Sequence, residues 1–363
     1  MQSAPHSPSL QRLLIAYGDT DTTIAATLKE AFESQSISVL VFLTNRTEHW
    51  INRLVFRKIN KLARNLRLIP KGGDLFSWSN FSFHRFMEAE FQKQVAAFGP
   101  DLIFCIHGER FAEHFLRTTP IPKIGWWTEP DRNYDALIRH AKPFDLYFSY
   151  DSELVPLLRQ HGIASQYLSH ATAPAEFFPI PDAPNQCDIL FFGNWSPWRE
   201  AVLYAAYQVT KRISLYGNNW HKKRTLFSSK ELSQCYKGEK LVGAALNQAM
   251  NGARLVLNAQ RLKGFTTGLD TRFFDVLASG SLLVSDAPKD LELHFSDGEH
   301  LLVYDDLESL KRLLHTHLDK DSHNQAIRNA GNNAVLERYT YRHFCETIIA
   351  AYAQISNEAK SAR

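Results

Sequence analysis

Asp270, Thr271, Arg272 and Asp275 fall close together in the segment GLDTRFFDVLASGSLLVSD, residues 268–286. Asp270 is a residue type that caps a helix, and Phe273, Phe274 and Leu277 give the following turns an apolar face. On that helix Thr271 and Asp275, four apart, project only about 40° from one another. Gly280 ends it, and Leu282–Val284 reads as a buried strand. The free N–H groups and positive dipole end of a helix start can seat a diphosphate, and an acid one turn further on can accept hydrogen bonds from ribose hydroxyls. Taken alone, the segment reads equally well as an amphipathic helix with an ordinary surface aspartate.

Its neighbours tip the balance towards a ligand. Phe191-Phe192-Gly193 ends an apolar run in glycine, and Arg199 follows in the turn-rich stretch NWSPWR. Glycine admits close backbone approach, and arginine grips phosphate with a planar fork. Leu215-Tyr216-Gly217 repeats the run-then-glycine pattern, and Leu255–Asn258 ends in asparagine. Loops after strand ends are where open α/β sheets bind ligands.

The elements that must carry these loops alternate along the chain. In the first half, strands are expected at Leu13–Tyr17, Ser38–Leu43, Leu102–Ile106, Lys123–Trp127, Leu146–Tyr150 and Gln166–Leu168, with helices at Thr22–Phe32, Trp50–Leu66, Phe83–Phe98 and Ser152–His161. Such alternation implies a parallel sheet covered on both faces. Ala171 to Gln186 carries prolines at 174, 179, 181 and 184, which exclude helix and central strand and mark a linker. The alternation then restarts through CDILFFG, ISLYG, ARLVLN, SLLVSD and HLLVY, with helices near Arg199–Val209, Leu241–Met250, Thr271–Ser279, Leu307–His315 and Tyr341–Ala353. The expected organisation is an N-terminal Rossmann-like domain (1–170), a linker (171–186) and a second Rossmann-like domain (187–335). A C-terminal helix (336–363) would return towards the first domain, and a cleft would lie between the domains.

A length of 363 residues suits two domains better than one core. A net charge of +3 sets up no global field that dictates a nucleic-acid or membrane partner. No apolar run reaches the ~20 residues of a membrane-spanning helix. MQSAPHSPSLQR lacks an apolar signal core and reads as a short disordered tail, so a cytoplasmic location is expected. Cys105, Cys187, Cys235 and Cys345 have no CxxC or ligand-like spacing; reduced thiols fit better than a disulfide or zinc site, and no metal site is expected.

The second half resembles the group 1 glycosyl transferases, in particular their spore-maturation CgeB-like branch. FFGNWSPWR, LYGNNW, ARLVLNAQR, TRFFDVLASGSLLVSD and FSDGEHLLVYDDLESLKRLL carry the resemblance, over roughly residues 188 to 342. It implies an α/β fold of GT-B type, two Rossmann-like domains with parallel sheets facing an interdomain cleft. It also implies transfer of a sugar from a nucleoside-diphosphate sugar, UDP or GDP first in expectation, to an acceptor hydroxyl or similar nucleophile, without a metal or cofactor. By resemblance Asp275 holds the donor ribose, Arg199 lies in a loop that places basic residues on the diphosphate, and Thr271 and Arg272 stand at the phosphate-facing helix start. Gly193, Gly217 and Asn258 complete the expected donor-binding set. The family has glutamate where this chain has Asp275, and the wider retaining group has another glutamate eight positions earlier, where this chain has Thr267; retention is thus without a motif.

PDLIFCIHGERF and IPKIGWWTEPD resemble the group's strands on the acceptor side, which makes His107, Glu129 and Asp131 candidate bases once tuned by burial. They read alternatively as a strand-end histidine, a solvated glutamate and a turn cap. Asp19-Thr20-Asp21 matches a metal-binding DxD pattern, but its place before a helix suits capping. His221-Lys222-Lys223-Arg224 is either a solvated cluster or a phosphate contact. In the Trp50–Leu66 helix, Ile51, Leu54, Val55, Ile59, Leu62 and Leu66 form an apolar stripe flanked by Arg53, Arg57, Lys58, Lys61, Arg64 and Arg67. The stripe either packs into the core beneath a basic face or meets an anionic acceptor or lipid headgroups. Two other functions stay open: a nucleotide-sugar epimerase of the same architecture, and a non-catalytic nucleotide-binding assembly protein.

Overall fold

The computed structural model describes residues 9–18, 24–129, 133–261, 264, 267–319 and 321–361. The strands described form two sheets of six. The first contains β1 (Arg12–Tyr17), β2 (Ser38–Leu43), β3 (Leu102–Ile106), β4 (Lys123–Trp127), β5 (Leu146–Ser149) and β6 (Ser165–Tyr167), in the order β2-β1-β3-β4-β5-β6 and parallel throughout. Parallel neighbours cannot be joined by hairpins, so helices such as Ile24–Glu33, Phe83–Phe98 and Tyr134–Ala141 make the crossovers. β3, β4 and β5 are buried at every position. That is why they read as unbroken apolar runs rather than as alternation. Lys123 is tolerated at the start of β4 because its ammonium donates to the carbonyls of Thr119 and Ile121 at 2.9 and 3.0 Å.

The second sheet contains β7 (Cys187–Phe192), β8 (Ile213–Tyr216), β9 (Tyr236–Gly238), β10 (Ala253–Leu257), β11 (Leu283–Asp286) and β12 (Leu302–Tyr304), in the order β12-β11-β10-β7-β8-β9 and again parallel. Counted from the β9 edge this is the 3-2-1-4-5-6 order of a Rossmann sheet, in which winding reverses between β7 and β10. In the first sheet the reversal falls between β1 and β3. The chain is therefore an α/β protein with two Rossmann-like units.

The first unit comprises Met1–Ser149, Leu154–Leu168 and Cys345–Arg363, and the second Tyr150–Glu153 and Ser169–Phe344. Residues 171–186 contain no helix or strand and pack within the second unit. Phe177 lies in its core, and the amides of Phe178 and Ile180 donate to Asn247 and Asn251 at 3.2 and 2.7 Å. β9 lies where no element was expected, and the helix Asp321–Arg338 lies in the helical end of the chain, between the two helices whose bounds were read there. β9 is three residues long, and DSHNQAIRNAGNNAVLER has too few apolar residues to show a clear period. The four cysteines are unpaired and buried, and burial pushes the Cys105 thiol up to about 12.

The core-packing reading of the Trp50–Leu66 stripe is overturned. The segment is helical, a π-helical stretch Asn52–Phe56 running into the α-helix Arg57–Asn65, but its apolar residues face water. Trp50, Leu62 and Leu66 are 59, 58 and 61 % exposed. Asn52, Asn60 and Ala63 are the buried ones. The cause is a polar anchor: Asn60 donates to Asp74 at 2.6 Å and accepts from the Leu75 amide at 3.0 Å, while Asn52 donates to Glu48 at 2.6 Å.

A second polar anchor lies beneath the second sheet's loops. Fully buried Glu200 accepts from the amides of Thr225 and Leu226 at 2.7 and 2.8 Å and from the Trp195 indole at 2.9 Å. Burial opposes its charge, but these donors hold the carboxyl below the usual glutamate range. Its stabilisation is thus complete at neutral pH and is lost as pH falls through the lowered value. Glu200→Gln, which presents one acceptor in place of two, is expected to cost ~2–3 kcal/mol in urea unfolding at pH 7. The gap should narrow in acid; a gap independent of pH would show that packing, not charge, is at stake.

Candidate functional site

Beside the winding reversal of the second sheet, the loops that follow β7 and β8 are stitched together by the glycines that end these strands. A Cβ built on Gly217, whose φ is +149°, would stand 1.9 Å from the Gly193 carbonyl oxygen, so only glycine lets these strand ends meet. The Gly193 amide donates to the Tyr216 carbonyl at 2.8 Å, and the Trp220 indole donates to the Gly193 carbonyl at 2.9 Å. Asn194 Oδ1 accepts from the Asn218 amide at 3.0 Å. The two predicted loop glycines therefore belong to one structure: Gly217 faces backbone, and Gly193 faces charge.

A Cβ on Gly193 would lie 3.1 Å from Arg272 Nη1 and 3.3 Å from Arg199 Nη1. Two guanidiniums thus converge on one backbone position at the carboxyl end of β7. Arg199 arrives on the helix Pro197–Val209, whose cap Ser196 accepts from the Arg199 amide. Its Nε donates to the Ala259 carbonyl at 3.0 Å and its Nη1 to the Asn194 carbonyl at 3.1 Å, so the fork is fixed while buried. Burial, followed by repulsion from Arg272, pulls its pKa down to about 9, against the pull of Asp270 and Asp286. Arg272 stands at the start of the helix Thr271–Ala278, where Asp270 caps its amide at 3.1 Å and pairs with its Nη2 at 2.8 Å. Thr271 is half-buried beside it.

One turn on, Asp275 accepts from the Thr172 hydroxyl at 2.9 Å. Burial raises its pKa well above the ordinary aspartate range, and Glu176 and Asp270 push the same way. No cation compensates it among the described residues. Thr267, where the wider group has a glutamate, is buried and donates to Glu153 Oε2 at 3.1 Å. A carboxylate, also paired with Lys289 at 2.6 Å, therefore stands beside the position that lacks one.

Three further residues gather at the ends of β10 and β11. Asn258 is buried; its Nδ2 donates to Ser285 at 3.2 Å and its Oδ1 has no partner. Gln260 is buried with neither side-chain atom hydrogen-bonded. Asp286 accepts from the Gln260 amide at 3.0 Å and the Trp198 indole at 2.8 Å, and burial raises its pKa. Buried polar atoms without partners are costly and cluster where a ligand or water completes them. Gln260 and Asp286 were not singled out from sequence: an amide in a loop has no period, and the aspartate ends an apolar strand. The His221–Arg224 cluster is mostly exposed, with Lys223 lying 5.9 Å from the Trp195 ring.

In the first unit, His107 follows β3 at the other winding reversal. It has φ +69°, a conformation uncommon outside glycine and one that collects at functional sites. Its Nε2 meets Thr128 Oγ1 at 2.6 Å, and its carbonyl accepts from Tyr147 at 2.6 Å. Arg110 Nε is buried without a hydrogen-bond partner, and a Cβ on Gly18 would lie 2.7 Å from it. The Trp127 indole N–H is also buried and unpartnered. Glu129 is exposed, so the burial expected to tune it is absent. Asp131 and the Asp19-Thr20-Asp21 triplet lie outside the described residues.

Residues 198–350 match the protein family described as glycosyl transferase-like. No curated protein matches the chain. Among solved structures it is similar to sucrose-phosphate synthase from Thermosynechococcus elongatus, with 12 % identity over 97 % of this chain and 100 % of that one at a TM-score of 0.68. Anabaena HepE in complex with UDP-glucose is 12 % identical over 96 and 99 % of the two chains, with a TM-score of 0.62. A glycosyltransferase from Rickettsia africae is 9 % identical over 95 and 98 %, with a TM-score of 0.63. At such identities the likeness is one of fold, the two-domain GT-B type.

The glycines separate binding from folding. Gly193→Ala puts a methyl group against the two guanidinium tips, which can shift, and should weaken binding of inorganic pyrophosphate about tenfold with little change in thermal midpoint. Gly217→Ala drives a methyl group into backbone and should cost ~2 kcal/mol or more of stability. Calorimetry with pyrophosphate and thermal melting read the two effects; equal behaviour of both variants would contradict the assignment.

Proposed function

With residues 198–350 glycosyl transferase-like on a GT-B frame, we propose that the chain transfers a sugar from a nucleoside-diphosphate sugar to an acceptor hydroxyl or similar nucleophile. The convergence of Arg199 and Arg272 on Gly193, beside the helix start at Thr271, is the observation that carries this reading. The acceptor oxygen attacks the anomeric carbon, the bond to the diphosphate breaks, and the electron pair leaves on a diphosphate oxygen. Two fixed guanidiniums and helix N–H groups stabilise that charge without reorganising, so the transfer needs no metal. Asp275 accepts from the ribose hydroxyls, as the shared face with Thr271 suggests. UDP is the first choice of nucleotide, supported by the HepE complex, and GDP the second. Within the group, the quoted stretches favour the CgeB-like branch.

The first unit takes the acceptor. His107 is the favoured proton acceptor, because its backbone is held in an uncommon conformation and its ring is already aligned by Thr128. Glu129, exposed, and Asp131 remain candidates for an inverting reaction. A retaining reaction would need none of the three as base, and NMR of the product's anomeric centre separates the cases. Release of free UDP with a glycosylated product supports transfer, whereas an altered nucleotide-sugar would make the chain an epimerase.

Asp275 gives a paired test. Asp275→Ala should weaken UDP binding by ~1.5–3 kcal/mol, the scale of a hydrogen bond to a charged group. Asp275→Asn should raise the thermal midpoint near pH 8. A carboxyl whose folded pKa is raised loses stability as pH climbs from its unfolded to its folded value, and the amide escapes that loss. The gain should vanish in acid. Unchanged UDP affinity in a folded Asp275→Ala protein would remove the ribose role. Turnover should also survive excess EDTA, and strict dependence on Mg²⁺ or Mn²⁺ would overturn the metal-free reading.

A further inference from the structure

The helical segment beginning at Trp50 is inverted with respect to water. Its buried positions are Asn52, Asn60 and Ala63, while Leu54, Val55, Ile59, Leu62 and Leu66 are exposed. Val55, Ile59, Leu62 and Leu66 follow three- and four-residue spacing and so share a face. The apolar surface does not stop at the helix. Phe76 stacks on Phe56 at 4.0 Å and Phe81 on His49 at 4.5 Å, which lays the following loop alongside. That loop adds Leu68, Leu75, Trp78 and Phe81, all exposed, with Trp78 72 % open. A continuous apolar surface of this extent marks an interaction site rather than scattered exposure.

Charge identifies the occupant. Residues 50–73 contain seven cations, Arg53, Arg57, Lys58, Lys61, Arg64, Arg67 and Lys71, and no aspartate or glutamate. Among the described residues, Arg57 is the one of these that pairs with a carboxylate, Glu48 at 3.3 Å. A protein partner's apolar core does not call for seven cations beside it, and a nucleic acid does not call for ten exposed leucines, valines, isoleucines and aromatics. An anionic bilayer calls for both, with aromatic side chains at the headgroup level and long basic side chains on the lipid phosphates. We infer that residues 50–81 seat the first unit on the surface of an anionic lipid bilayer, with the Val55–Leu66 row and Trp78 entering the acyl boundary. No helix among the described residues is long and apolar enough to cross a membrane, so the attachment is to one surface.

The test uses the full chain and sedimentation with phosphatidylcholine vesicles, with and without roughly one third phosphatidylglycerol. Binding should be at least about tenfold stronger to the anionic vesicles and should fall in about 0.5 M salt. Leu62→Asp with Leu66→Asp should abolish it, and Lys58→Glu with Lys61→Glu should return it to the level on neutral lipid. All four side chains are exposed, so the variants should keep the wild-type thermal midpoint and UDP binding. Tryptophan emission should shift to the blue on anionic vesicles, and Trp50→Phe with Trp78→Phe should remove the shift, a readout that does not depend on the charged variants folding. Absence of binding, equal binding to neutral vesicles, or binding unchanged in the leucine pair overturns the inference. So does a dimer in solution that Leu62→Asp dissolves, which would make the face a self-contact. None of these results bears on sugar transfer, which is read separately by UDP release.

Discussion

Two arginines pressed against one glycine make an arrangement that proteins do not build for stability. Arg199 is desolvated and anchored by carbonyls, and Arg272 adds like charge at the same point. Asp270 and Asp286 offset part of this, but Asp286 is itself occupied by the Gln260 amide and the Trp198 indole. A di-anion placed between the forks would satisfy both cations and meet the helix N–H groups. Much around them exists to hold this geometry. The Gly193–Gly217 contact brings the strand ends together, Trp220 locks the Gly193 carbonyl, and Glu200 secures the loop that follows.

The same region shows stability given up locally. Asp275 sits where its charge is disfavoured, and Asn258 and Gln260 keep buried polar atoms without partners. Each is a cost that a ligand with hydroxyls and amide-like edges would repay in part. The first unit has a counterpart at its own winding reversal, where His107 holds a left-handed backbone and Arg110 and Trp127 bury unpaired N–H groups. Each of the two Rossmann-like sheets, different in strand order, thus carries unsatisfied polar groups at the strand ends beside its winding reversal.

Strands buried on both faces were legible because burial writes itself as continuous apolar runs: β3 and β4 begin and end where the pattern does. Arg199 and the helix Thr271–Ala278 stood out in the sequence through a strand ending in glycine and a capping aspartate. Three features were not. β9 is too short to show a period, and Gln260 acquires meaning only through burial. The Trp50–Leu66 segment shows how period alone fails: it reports which residues share a face but not which face turns inward. Asn60 and Asp74 decide that through hydrogen bonds across fourteen residues.

The first unit is assembled from three pieces of chain, the last of them beginning at Cys345. Cys345, Ile348, Ala351 and Tyr352 of that piece are buried. During vectorial synthesis this helix leaves the ribosome only after nearly all of the second unit has emerged. The N-terminal sheet must therefore wait, incompletely covered, while the C-terminal sheet can close on itself. Order of folding then runs against order of synthesis, and loss of this helix would injure the unit whose strands are made before those of the other.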